Sequence, residues 1–258
     1  MTENNFFSHL TAIPLSQIPS LPVQTWRRTV LNYISEGWRL IALFAVKDSS
    51  HVSVLYAVVS QTEESKFIAL TTEVNNEYPC LTLDCPQAQA FERDLAEETS
   101  IVPVGHPWLK PLRFSGSQVK PGITEFFQIH GDDFVEPIHE VAVGPVHAGI
   151  IEPGHFRFQC FGEEVLHLEI SLGYQHRGIE KYLLGGPNKR TIHYMETLAG
   201  DTSVGHATAY CQAMEALAQC EVNANTHLIR AIALELERLA NHTGDLGALA
   251  SDIGYLPT

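Results

Sequence analysis

The sequence is short of the features that mark most readily named functions. No stretch reaches the roughly 18 continuous apolar residues that a membrane span requires. No basic flank leads into an apolar run at the N-terminus, so no signal peptide is expected, and a cytosolic location is expected by default. Basic residues are scarce: 16 Lys and Arg against 30 Asp and Glu leave a net charge of −14. That balance argues against nucleic acid as the main partner, because phosphate binding needs a basic patch. Cysteine numbers five, an odd count with no C-x-x-C pair, which suits free thiols in a reducing compartment better than a disulfide framework. Neither G-x-G-x-x-G, G-x-x-x-x-G-K-[ST] nor G-x-S-x-G occurs, so nicotinamide or nucleotide chemistry and a nucleophile elbow are not expected of this chain. What remains is 45% hydrophobic and 18% charged, the composition of an ordinary globular protein. Its 258 residues give room for two modest domains or one large one.

Residues 1–20 are polar and punctuated by Pro14 and Pro19, and read as a loose lead. Thr25–Gly37 places Trp26, Val30, Leu31 and Ile34 on one helical face. Trp38–Val46, Val52–Ser60 and Lys66–Thr72 read as strands, with His51 in a turn. One helix followed by strands without intervening helices suggests a small α+β domain over 21–118. Gln87–Glu98 is the expected helix near its end, closed by Pro103-Val104-Gly105-His106-Pro107. Cys80 and Cys85 lack the two further ligands a zinc site needs. The segment 119–136, rich in Gly, Pro and acidic residues, reads as a linker.

From 137 onward the pattern changes. Phe156–Cys160 and Val165–Ile170 flank Gly162 and predict a hairpin. Helices are expected at Thr191–Leu198, His206–Val222 and Asn225–His242, with Asp201, Thr202 and Ser203 as candidate N-caps of the second. In the last helix Leu228, Ile229, Ile232, Leu236, Leu239 and Ala240 fall within about 120° of arc. Glu235, Arg238 and His242 border that stripe, either as an edge salt bridge or as a polar thread into a helical core. The loop ahead of the hairpin gathers His147, Glu152 and His155, a plausible zinc or iron set on chemistry alone, although histidines lining a turn are commoner than metal sites.

Two strings in this region, Gly144–Phe158 (GPVHAGIIEPGHFRF) and Leu172–Lys181 (LGYQHRGIEK), resemble the large-subunit family shared by membrane-bound [NiFe] hydrogenases of the formate hydrogenlyase type and the D-type subunit of respiratory complex I. The earlier run Ala90–Leu95 (AFERDL), with Gly105-His106-Pro107 and Leu112-Arg113-Phe114, looks like the end of the C-type subunit of complex I, which in the formate hydrogenlyase type is fused ahead of the large subunit. Where that family has Glu-Arg-Glu, this chain has Glu92-Arg93-Asp94.

The resemblance implies an α+β fold: an α+β domain like the C-type subunit, then a β-hairpin or short sheet and the first half of a mainly helical domain of the large-subunit type over 137–258, in either a fragment or a shortened relative. It implies a component of a membrane-associated, NADH-quinone oxidoreductase-like or hydrogenase-like complex. Such a component lies peripheral to the cytoplasmic face of the inner membrane, packs on an iron–sulfur small subunit, and touches the membrane only through membrane subunits. The family's first nickel-binding cysteine pair falls on Ala199 and Thr202, and the second lies beyond these residues. Alanine ligates nothing and no oxygen ligand substitutes well for a soft thiolate, so no metal, and no other cofactor, is expected on this chain. In complex I a tyrosine and a loop histidine face the quinone headgroup; the tyrosine position falls on Gly200, while His147 and His155 remain loop candidates. The expected quinone or proton pocket is therefore His147, His155, Asp201, Thr202 and His206. A non-catalytic assembly module is the alternative, and an active [NiFe] hydrogenase the weaker one.

Overall fold

The computed structural model describes residues 6–47, 52–113, 138–147 and 151–255. The chain divides into two compact units, residues 1–126 and 127–258. The expectations for His51, Phe114 and the 119–136 linker fall outside the described residues.

The first unit is built on a four-stranded antiparallel sheet in the order β1-β4-β3-β2. Short β1 (Phe7–Ser8) precedes helix α1 (Val23–Ser35). β2 (Arg39–Lys47), β3 (Ser53–Gln61) and β4 (Lys66–Val74) follow as a meander. Along β3, buried Leu55, Ala57 and Val59 alternate with half-buried Tyr56 and Val58, the period of two that a strand imposes. Trp26 and Val30, one helical turn apart on α1, are fully buried in the same core. The indole Nε1 of Trp26 donates to the Leu70 carbonyl at 3.2 Å. Gly37, at φ +90°, makes the left-handed turn out of α1 that glycine adopts without steric cost.

Next, β5 (Glu77–Pro79), helix α2 (Gln89–Thr99) and β6 (Val102–Val104) form a small parallel crossover, which the sequence pattern did not suggest because both strands are three residues long. The Glu92-Arg93-Asp94 run explains itself here. The fully buried Glu92 carboxylate accepts the Leu81 amide at 2.7 Å, the Thr82 amide at 3.1 Å and the Thr82 hydroxyl at 2.5 Å. Arg93 donates to the carbonyls of Lys110 at 2.6 Å and Pro111 at 3.0 Å, and lies 4.5 Å from the Trp108 ring. Glu97 accepts the amides of Leu112 and Arg113, each at 2.8 Å. Irregular backbone buried around α2 has no strand to pair with, so helix side chains supply its partners. Burial pushes the Tyr78 hydroxyl well above its usual range, with the adjacent Glu92 adding to the effect, and burial also lowers His106.

The second unit opens with a three-stranded antiparallel sheet, β7 (His139–Val143), β8 (His155–Phe161) and β9 (Glu164–Ser171). The expected β8–β9 hairpin is present, turning at Gly162 with φ +57°; β7 is an added strand. One face of the sheet is ionic: Arg157 pairs with Glu169 on one neighbouring strand at 3.3 Å and with Glu140 on the other, and Arg157 and Glu169 are only 6% and 7% exposed. The other face carries Val141, Leu168 and Ile170, each more than 40% exposed. A short 3-10 turn, Ile179–Tyr182, leads to α3 (Thr191–Glu196), α4 (Ser203–Ala218) and α5 (Ala224–Asp252). Both long helices depart from the expected bounds: α4 is shifted, ending at Ala218 instead of Val222, and α5 is longer. α4 begins three residues before His206. α5 runs ten residues past His242, through Gly244 and Gly247. Asn223 caps α5, its side-chain oxygen accepting the Thr226 amide at 2.9 Å. The chain is thus mixed α and β, as the sequence implies.

Replacing Glu92 by Ala strands three buried donors and should cost about 3 kcal/mol or more. Urea unfolding of the full chain followed by tryptophan fluorescence measures it, since Trp26, Trp38 and Trp108 all lie in the first unit.

Candidate functional site

The turn between α3 and α4, residues 197–202, holds Ala199, Gly200, Asp201 and Thr202. Thr202 is the N-cap residue of α4 but its side chain makes no capping bond. The cap comes from α5 instead. One Glu237 carboxylate oxygen accepts the Val204 amide at 2.6 Å and the other accepts the Gly205 amide at 3.1 Å, satisfying two of the amides every helix leaves open at its N-terminus. One turn along α5, Asn241 Nδ2 donates to the Asp201 carbonyl at 2.8 Å. A Cβ at Gly205 would sit 2.9 Å from Thr202 Cγ2 and 3.5 Å from Glu237 Oε1, so glycine permits the close approach. Arg177 also reaches this turn, its Nη2 3.9 Å from where a Gly200 Cβ would lie. Glu237 and Asn241 were missed in sequence. Each is a polar residue whose partner is distant in the chain, and Glu237 lies off the apolar stripe that the sequence makes visible.

Beside the turn lies an open groove of about 450 Å³, walled by Thr202 of the turn, Gly205 of α4, and Leu234, Glu235, Arg238 and His242 of α5. Thr202 and the three polar-thread residues therefore share one site, whereas the sequence reading placed them in two. Glu235 and Arg238 pair at 3.2 Å across i,i+3 and are 65% and 63% exposed, an edge salt bridge worth a few tenths of a kcal/mol. A smaller groove of about 210 Å³ lies among Glu196, Ser203, Val204, Cys211 and Arg230. There Arg230 grips Glu215 with two bonds of 2.6 and 2.9 Å and holds its carboxyl below the usual carboxylate range. His206 is half-buried on α4 and lines neither groove.

His147, on the β7–β8 loop, and His155, the first residue of β8, bridge that loop reciprocally. His147 donates Nε2–H to the Gly154 carbonyl at 2.9 Å, and its ring meets Phe156 edge-on at 6.1 Å. His155 donates Nδ1–H to the Gly144 carbonyl at 3.3 Å. These directions follow because a carbonyl only accepts. Gly144, at φ +79°, could carry no side chain: a Cβ would fall 2.0 Å from the Gly154 oxygen and 2.5 Å from His147 Nε2. Among the described residues no three His, Cys, Asp or Glu side chains come together to hold a metal, His147, Glu152 and His155 included. Nor do the residues at the turn fit a nickel–iron centre. Ala199 and Thr202 supply no thiolate, and the unit's cysteines lie elsewhere, Cys160 within β8, Cys211 within α4 and Cys220 after it.

Comparison with known proteins gives a consistent answer. The chain is similar to hydrogenase-4 component G of Escherichia coli strain K12, 29% identical over 257 residues, covering 87% of this chain and 45% of that protein. It is 28% identical over 250 residues to formate hydrogenlyase subunit 5 of the same organism, covering 87% of this chain and 44% of that one. It is 34% identical over 125 residues to a D-type subunit of NADH-quinone oxidoreductase from Chloroherpeton thalassium, covering 48% of this chain and 28% of the relative. These are relatives of the kind that the strings at 144–158 and 172–181 resemble. The chain spans less than half the length of these curated relatives. No family model matches it.

Glu237→Ala removes the acceptor for two α4 amides and should lower stability by about 1–2 kcal/mol. It should also raise hydrogen exchange in the peptide covering residues 203–206, read by mass spectrometry of the full chain.

Proposed function

Proceeding from this similarity to the large subunits of hydrogenases and complex I, we propose that the chain is a component of a membrane-associated, NADH-quinone oxidoreductase-like complex that performs no nickel chemistry itself. The observation that carries the reading is the match to hydrogenase-4 component G and formate hydrogenlyase subunit 5 over 87% of the chain, taken with Ala199 and Thr202 at the cysteine positions. No described helix is long and apolar enough to cross a membrane, in keeping with a peripheral subunit on the cytoplasmic face that is held by partners. On this reading the second unit packs on an iron–sulfur small subunit, which supplies the electrons. The Asp201–Gly205 turn, with its groove of Thr202, Arg238 and His242, and the loop of His147 and His155 form the surface where a quinone is bound and protons are handled. Imidazoles and carboxylates beside an apolar wall suit that work near neutral pH.

A second reading, a non-catalytic assembly subunit, is favoured by one observation: the loop histidines donate to backbone carbonyls and serve the loop's own geometry.

A photoreactive short-chain quinone analogue separates the two. In the complex purified through a tag on this chain, the analogue should label peptides containing residues 144–156 or 199–206. Excess unlabelled quinone should suppress that label, and Thr202→Val should weaken it about tenfold. Labelling confined to other subunits would leave the assembly reading.

A further inference from the structure

The groove beside the α3–α4 turn carries more negative than positive charge. Glu235, Glu237 and Asp245 line it, and Arg238 is the one guanidinium or ammonium among its described lining residues. Even a protonated His242 leaves the balance negative. Arg238 is already paired with Glu235 at 3.2 Å, so it is not a free cation for a ligand. Glu237 gives its two carboxylate oxygens to the Val204 and Gly205 amides of α4 at 2.6 and 3.1 Å. Open amides at the positive end of a helix dipole are where proteins commonly hold an oxyanion. Here the anion is supplied by α5 itself, and its charge remains in the groove wall. The rest of the wall is uncharged: Ala231 and Leu234 are apolar, and Thr202 offers a hydroxyl that makes no capping bond.

We propose that this groove excludes anions, with Glu237 as the residue that sets its selectivity, so that its ligand is uncharged where it binds. This rests on the quinone reading of the groove and narrows it. A neutral quinone is accepted, whereas a quinone bearing a sulfonate or carboxylate is rejected, as are inorganic oxyanions. A cleft lined by charge of one sign focuses its field on whatever enters. The screening length of about 8 Å at physiological salt lets wall charges act on a ligand between them. Reduction is constrained in the same way. One electron from the iron–sulfur partner gives a semiquinone anion, which the carboxylates disfavour. Two electrons taken up with two protons convert the quinone to a neutral quinol and leave the charge of the groove unchanged.

The test has two arms, and the first needs no quinone. In the full chain, Ala231→Cys places a thiol in the groove wall. Its modification by a methanethiosulfonate bearing a sulfonate is compared with that by the trimethylammonium reagent, with exposed Cys220 as the internal reference, both read by peptide mass spectrometry. Relative to Cys220, the anionic reagent should be disfavoured about fivefold at position 231, and less so in high salt. Glu237→Gln should reduce that bias about threefold. Asp245→Asn, at an exposed position that makes no helix cap, should reduce it as well. In the second arm, a sulfonated naphthoquinone competes with the photoreactive quinone in the purified complex, and should do so about tenfold more weakly than its neutral parent. A rate bias absent at position 231, a bias that Glu237→Gln and Asp245→Asn both leave unchanged, or a sulfonated quinone that competes as well as its parent would overturn the proposal. The expected bias in a groove that no quinone labels would leave anion exclusion standing and remove the quinone reading.

Discussion

The second unit is organised by one electrostatic requirement. The α4 N-terminus needs an acceptor for its open amides, and no side chain of the preceding turn supplies it. Glu237 does, from a helix more than thirty residues away in sequence. Meeting that need turns the polar side of α5 towards α4, a choice reinforced by Arg230 on Glu215 and Asn241 on Asp201. The cost is an apolar stripe facing outward, which for a stable protein in water is an unfinished interface. The same contacts shape the groove beside Thr202, so the candidate site and the bare stripe are consequences of a single packing arrangement.

The first unit uses the same device differently. Glu92, Arg93 and Glu97 point into irregular backbone and satisfy it with charged side chains. Charge-assisted bonds are the strong ones, and burying them commits the surrounding loops to one conformation. Glu92 and Arg93 of the Glu92-Arg93-Asp94 run therefore act as a structural latch.

Much of the fold was legible because periodicity was strong. β2, β3, β4 and the β8–β9 hairpin announce themselves by alternation around Gly37 and Gly162, and α1 by its Trp26–Val30 face. β5, β6 and β7 were not legible: three- to five-residue strands carry too little pattern. The ends of α4 and α5 were misjudged for physical reasons. Thr202 looked like a side-chain cap, but the cap is tertiary. The expected end of α5 at His242 fell short, because the helix carries on through Gly244 and Gly247. At the site, residue strings pointed to His147, His155 and the 199–206 turn. Glu237 and Asn241 could be found only once the chain was folded, because their roles are set by contacts across 32 residues or more.

The central claim is that this chain is a large-subunit relative that works beside iron–sulfur partners without nickel of its own. Ala199 and Thr202, where soft thiolates would be needed, make the claim chemical and not merely genealogical. The direct measurement is iron and nickel content of the native complex purified through a tag on this chain. The account requires iron in clear excess with nickel at background. Nickel in proportion to the chain would contradict it.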